Sequence, residues 1–250
     1  MALILYSVIF LYGIVIGSFL NVCIYRIPLG ESIAKERSHC MSCGYQLKWY
    51  DLVPLFSWLA LRGKCRKCGT PISPQYPMIE ALNGVLYVLI FAVNGFSLVS
   101  GLYCLMASAL LALSVIDFRT YEIPFGFNVF IGILGVLRLV TDFGNWSDYV
   151  LGFLAISVVL ALLLIVSQGR AIGGGDVKLM AAAGLLLGWK LIILAFLIGC
   201  ILGSVIHIIR MKVSQAERVL AMGPYLSAGI LIAALWGNQF INWYFNLLTL

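Results

Sequence analysis

The sequence predicts an all-α polytopic membrane protein. It should have about eight transmembrane helices, with six to eight admissible, and a small cysteine-rich, zinc-binding cytoplasmic module after the first of them. Composition is the first reason. Hydrophobic residues make up 62% of the 250 and charged residues 10%, with a mean hydropathy of +1.05. A soluble domain is about half apolar and about a quarter charged, so a water-soluble globule, a disordered tail and a fibrous repeat are excluded. The second reason is that the apolar residues fall in blocks close to the ~20 residues that a helix needs to cross the hydrocarbon core. The third is the placement of charge. Residues 25–77 hold eight cations and three acids, 11 of the chain's 26 charges. One polar module interrupts an otherwise apolar chain.

The candidate spans are residues 3–24, 78–95, 98–116, 124–140, 149–167, 177–188, 190–208 and 221–246. The sixth is short, and only Gly188-Trp189-Lys190 separates it from the seventh, so a count with it merged or dropped stays open. No basic stretch precedes the first segment and no small-residue cleavage site follows it, so it is expected to stay as a span. Three regions result: 1–24 as the first transmembrane helix, 25–77 as the module, and 78–250 as the remaining membrane core. Lys and Arg collect on the cytoplasmic side of a membrane protein. With the module inside, its eight cations are joined by Arg119, Arg170, Lys178, Arg210, Lys212 and Arg218. Only Arg138 and Lys190 fall outside, a split of 14 to 2. Both termini are then external. Arg26, Arg210 and Lys212 are expected at anionic lipid headgroups.

Within the module, Cys40-Met-Ser-Cys43 and Cys65-Arg-Lys-Cys68 form two CxxC pairs with 21 residues between them, each followed by a glycine, Gly44 and Gly69. Two thiolates at this spacing grip one metal ion from a tight turn, and four complete a tetrahedral, closed zinc site. A module too small and polar to build its own core gains from such a staple. Cytoplasmic placement argues against disulfides. Cys23, Cys104 and Cys200 lie in apolar spans and are read as packing residues. His39 precedes Cys40, but four sulfurs already fill the shell.

Ionisable groups at the ends of spans are costly and usually functional. Asp117 ends the third span, in Ser114-Val-Ile-Asp-Phe-Arg-Thr, and Asp176 opens the sixth, in Ala171-Ile-Gly-Gly-Gly-Asp-Val-Lys. The topology, built from basic residues alone, places both on the cytoplasmic side at similar depth. Gly173, Gly174 and Gly175 are expected to force a loop at the membrane interface, where another chain can approach closely. Two carboxylates sharing a water supply an acid and a base for peptide hydrolysis. Taken singly, Asp176 also fits a helix N-cap and Asp117 a solvated span end. Glu80 and Glu122 lie at the same level as candidate binders of a basic substrate.

Several ordered motifs are similar to those of a known family. They are Gly17-Ser-Phe-Leu-Asn-Val-Cys-Ile-Tyr-Arg-Ile-Pro28, the two CxxC pairs, Tyr76-Pro-Met-Ile-Glu80, Ile116-Asp-Phe-Arg-Thr-Tyr-Glu-Ile-Pro124, Gly173-Gly-Gly-Asp-Val-Lys178 and Gly223-Pro-Tyr-Leu-Ser-Ala-Gly229. Over nearly its full length the chain resembles bacterial type IV prepilin peptidases, membrane aspartic proteases with a GxGD motif. The resemblance implies cleavage of the short basic leader of type IV prepilins or type II secretion pseudopilins, after a glycine, at the cytoplasmic face of the inner membrane. It further implies methylation of the new N-terminus with S-adenosylmethionine, at residues that the sequence does not assign. Asp117 and Asp176 would be the catalytic pair, with Gly173, Gly174, Gly175 and Lys178 in the active-site loop. A basic leader meets a module of net charge +5, so Glu80 and Glu122 are expected to form a local acidic mouth.

Other classes make different demands. A transporter would carry acids near the midplane and a repeat of two halves, and a scaffold would leave the GxGD element without a role. A methyltransferase without protease activity differs only in leaving precursors uncut. Nothing points to nucleic acid.

Overall fold

The computed structural model describes residues 2–170, 172–214 and 220–248. Ala171 and Arg218, both used above, lie outside the described residues. Those residues form ten α-helices and no strand, with isolated bridges only at His39–Gln46 and Lys64–Pro71. The chain divides into two compact units, Met1–Gly95 and Phe96–Leu250.

The first unit holds α1 (Ala2–Arg26), the short α2 (Phe56–Ala60) and α3 (Gln75–Asn94). Helices α1 and α3 run antiparallel at close range because small residues line the seam. A Cβ on Gly13 would lie 2.7 Å from Gly84 Cα, and one on Gly17 would lie 2.7 Å from Glu80 Cα. Apolar side chains gain little by leaving lipid, so such close backbone packing and interhelical hydrogen bonds hold membrane helices together. The bonds are present: Asn83 Nδ2 donates to Gly13 O at 2.7 Å and Asn21 Nδ2 to Tyr76 O at 3.1 Å. Arg26 departs from its expected headgroup role. It is buried, and its guanidinium donates to Ser32 O at 3.1 Å and Glu36 O at 2.9 Å, which fixes the chain's exit into the module.

The second unit comprises α4 (Leu98–Thr120), α5 (Phe125–Thr141), α6 (Trp146–Ala155), α7 (Ser157–Val166), α8 (Gly174–Leu187), α9 (Trp189–Ser214) and α10 (Gly223–Leu248). Its core is largely apolar, with Met106, Leu110 and Leu113 of α4, Ile131 of α5, Leu179, Met180 and Leu186 of α8, and Ile192 of α9 fully buried. At its centre α8 packs on α5, α6, α7 and α9. A helix apolar on every side belongs inside a bundle, and Leu179 to Leu187 offers only Ala, Gly, Leu and Met. With 14 residues at ~1.5 Å each, α8 is ~21 Å long, short of the ~30 Å hydrocarbon core. The expected span at 177–188 is therefore a buried helix, too short to cross alone.

Among the described residues, five helical segments are long and apolar enough to cross a membrane: Leu3–Leu29, Gln75–Asn94, Leu98–Thr120, Phe143–Val166 and Trp189–Val213, with Phe125–Thr141 apolar but shorter. The expected span at 149–167 is broken at Ile156 between α6 and α7. Helix α10 has the length to cross, at 26 residues, but Asn238, Gln239, Asn242 and Asn246 dilute its second half. The all-helical, multi-pass architecture agrees with the expectation.

Candidate active site

Asp117 sits one turn before the end of α4. That helix closes on Tyr121, a left-handed residue (φ 56) whose N–H donates to Asp117 O at 2.8 Å, a common helix stop. The side chain is 4% exposed, and its Oδ2 accepts the Gly223 N–H at 2.9 Å. Gly223 is the first residue of α10. N–H groups there have no partner within the helix, and the helix end carries partial positive charge. A carboxylate is the natural occupant. Only glycine fits: a Cβ on Gly223 would lie 2.6 Å from that oxygen.

Asp176 is the third residue of α8 and 9% exposed. Gly173 is the N-cap, and the Asp176 N–H donates to its carbonyl at 3.1 Å. The carboxylate in turn takes the Gly173 N–H and lies within electrostatic reach of Asp117. Both aspartates thus lie buried at the N-termini of helices in one unit. The spacing of the two motifs in sequence gave no view of the two helix ends that hold them.

The triglycine does not loop, contrary to expectation. Gly174 and Gly175 are the first residues of α8, and none of the three has a positive φ. The irregular backbone comes earlier, at Gln168 (φ 51) and Gly169 (φ 79). Contact is what requires glycine here. A Cβ on Gly175 would lie 2.9 Å from Ile123 Cβ, and one on Gly173 would lie 3.2 Å from Asp176 Oδ2. Ile123 lies three residues past the end of α4, so the two motifs press on each other.

Asn128 of α5 completes the surroundings; in the sequence it is one polar residue in an apolar span, with no motif to single it out. It is buried, its Nδ2 donates to Gly175 O at 3.4 Å, and its Oδ1 has no partner among the described residues. Lys178 is exposed, with Nζ 5.1 Å above the Phe125 ring. Glu122 is exposed beside Ile123. Glu80 is buried in the first unit, where its Oε2 accepts the Leu55 N–H at 2.7 Å.

The four module cysteines converge. Their sulfurs all lie within 4.8 Å of one another, in a cluster able to hold a metal ion, and His39 is not among them. Two matching knuckles build it. Cys40 N–H reaches Tyr45 O and Gly44 N–H reaches Cys40 O, while Cys65 N–H reaches Thr70 O and Gly69 N–H reaches Cys65 O. Gly44 (φ 67) and Gly69 (φ 72) take the left-handed backbone that each turn needs. The Thr70 hydroxyl pulls the Cys68 thiol down to about 6. Cys43 gains from the Tyr45 N–H, yet burial and the neighbouring sulfurs push it up to about 11. Four sulfurs this close cannot all ionise without a cation among them. Asp51 joins the knuckles: its carboxylate binds Arg66 Nε at 2.7 Å, the Lys48 N–H at 3.2 Å and the Tyr45 hydroxyl at 3.3 Å.

Two family models match in order along the chain, the bacterial peptidase A24 N-terminal domain at residues 11–93 and the type IV leader peptidase family at 104–208. Among curated relatives, a prepilin leader peptidase/N-methyltransferase of Stutzerimonas stutzeri is 32% identical over 91% of this chain and 89% of its own. The protein of that name from Bacillus subtilis is 31% identical over 96% of this chain and 98% of its own. A third, from Myxococcus xanthus, is 37% identical over 80% of this chain and 61% of its own. No solved structure matches. Likeness of this extent, running through both matched regions, means that the chain belongs to the type IV leader peptidase family.

Proposed function

We propose that this chain is a membrane aspartic endopeptidase that removes the short basic leader from type IV prepilins and type II secretion pseudopilins. Cleavage follows a glycine at the cytoplasmic face of the bacterial inner membrane. The observation that supports this best is the burial of Asp117 and Asp176 within electrostatic reach of each other, each at a helix N-terminus. In this reading the two carboxylates share one proton, as neighbouring like charges do, and act as a unit. The ionised member removes a proton from water as its oxygen attacks the scissile carbonyl carbon. The protonated member donates to the carbonyl oxygen; as the C–N bond breaks, the first carboxyl passes the water's proton to the leaving amine and the second carboxylate recovers its proton from a hydroxyl of the collapsing intermediate. The Gly223 N–H and the α8 N-terminus orient the carboxylates, and exposed Glu122 offers charge for the leader's basic residues.

Zinc fits the cysteine cluster. In a tetrahedral site with Zn–S of about 2.3 Å the sulfurs stand about 3.8 Å apart, and Cys40 Sγ and Cys68 Sγ lie 3.8 Å apart. Cys40, Cys43, Cys65 and Cys68 would hold the ion as a structural staple. A second activity, N-methylation of the new N-terminus from S-adenosylmethionine, rests on the names of the relatives, and no residue is assigned to the methyl donor.

The intact mass of a pilin precursor co-expressed with this chain tests the reading. Loss of the leader with the wild type but not with Asp176→Asn supports the peptidase, and one added methyl group supports the second activity. A precursor left whole by a well-folded wild type would overturn the reading.

A further inference from the structure

The segment from Trp49 to Leu59 leaves a stripe of large apolar side chains uncovered. Trp49 is 80% exposed, Phe56 59% and Leu59 63%, with Leu52 exposed beside them. Phe56 and Leu59 lie three apart on α2 and so share one face, and Trp49 and Leu52 are exposed in the turns just before it. Trp58 points away from it, donating its indole N–H to Ile72 O at 3.2 Å. Exposed cations flank this segment in sequence, at Lys48, Arg62, Lys64 and Lys67, and no acid occurs between Asp51 and Glu80.

Two features aim this face. Leu55 takes φ 62 and ψ −53 while the Phe56 N–H turns back to Pro54 O at 2.6 Å, a γ-turn that a leucine adopts only when held. The hold comes from Glu80, whose buried carboxylate accepts the Leu55 N–H. In addition, the module is continuous at both ends with membrane-length helices, α1 and α3, so it cannot leave the bilayer surface. Large apolar side chains rimmed by cations bind where acyl chains meet anionic headgroups. We propose that the Trp49–Leu59 face docks into this boundary of an anionic leaflet, and that Glu80 is the positioning residue that aims it.

The test uses the full chain in nanodiscs of phosphatidylglycerol and phosphatidylcholine. Trp49 emission is isolated by subtracting the Trp49→Phe variant. Lipids brominated on the acyl chain should quench most of this emission, and aqueous iodide little of it. Glu80→Gln, which keeps an acceptor for Leu55, should preserve tail quenching, whereas Glu80→Leu should shift Trp49 into iodide's reach. Iodide quenching in the wild type would place the face in water, and quenching by neither agent would mean that protein covers it; either overturns the proposal. Equal behaviour of the two Glu80 variants would remove its aiming role. Bound metal, measured on each variant, reports whether the module is folded. The proposal stands apart from the aspartate chemistry, because precursor cleavage by the same samples is read separately.

Discussion

Replacing Gly223 with alanine should damage cleavage more than so small a change would suggest. The added Cβ would lie 2.6 Å from Asp117 Oδ2 and 3.0 Å from its Cγ, where ordinary contact begins at 3.4 Å. The α10 backbone is pinned in the bundle by Leu226 and Ile230, each at most 1% exposed. The carboxylate must therefore give way, by the difference of 0.8 Å, and its bond from the Gly223 N–H lengthens or breaks. A misplacement of ~1 Å in a reacting group costs ~100-fold in rate, which is ~2.7 kcal/mol in the barrier. The readout is cleavage of a purified precursor under single-turnover conditions, with enzyme in detergent. Gly126→Ala serves as control, since nothing lies within 4 Å of a Cβ there, and it should cleave as the wild type does. A Gly223→Ala enzyme within about threefold of wild type would refute the claim that this backbone contact sets the position of Asp117.

Three further outcomes are expected. Gly175→Ala should slow cleavage because its Cβ would meet Ile123 Cβ at 2.9 Å; adding Ile123→Ala should restore much of the rate, and strictly additive losses would count against the contact. Cys65→Ser should abolish binding of the one metal ion per chain that elemental analysis is expected to find in the wild type, and metal affinity should weaken as pH falls because protons compete for the thiolates; wild-type protein that never carries metal would contradict this. Asp51→Ala leaves Arg66, the Lys48 N–H and Tyr45 without their shared acceptor. The salt bridge alone is worth little because Arg66 is 45% exposed, and the Lys48 N–H and Arg66 can turn to water, so the loss of the three shared bonds should cost only about 1 kcal/mol. Hydrogen exchange of residues 40–70 should rise at constant metal content, and unchanged protection would remove Asp51 from its joining role.

What could be read in the sequence was whatever local chemistry decides. Spans follow from hydropathy, and the CxxC spacing with its glycines dictates the knuckles, so the cysteine cluster was legible residue by residue. Asp117 and Asp176 were legible as costly charges at the ends of apolar segments, and the structure buries both in one unit. Close approach was not legible. Gly173, Gly174 and Gly175 suggest a broken backbone, yet two of them are helical, and what Gly175 needs is room for Ile123. Nothing local in Gly223 says that it meets an aspartate 106 positions earlier. Asp51 and Glu80 were legible as charges but not as acceptors for distant donors, and Asn128 carries no charge to draw notice. Hydropathy also took α8 for a span, since an apolar segment buried in protein and one facing lipid have the same composition.

The central claim is that Asp117 and Asp176 act as one two-carboxylate unit, and the most direct measurement is the single-turnover cleavage rate of Asp117→Asn, Asp176→Asn and the double variant. Groups that act as a unit are strongly non-additive. The account predicts that each single variant falls to the floor of the assay and that the double is no slower. A single variant that still cuts at a measurable rate, with the double slower by the product of the two effects, would contradict it.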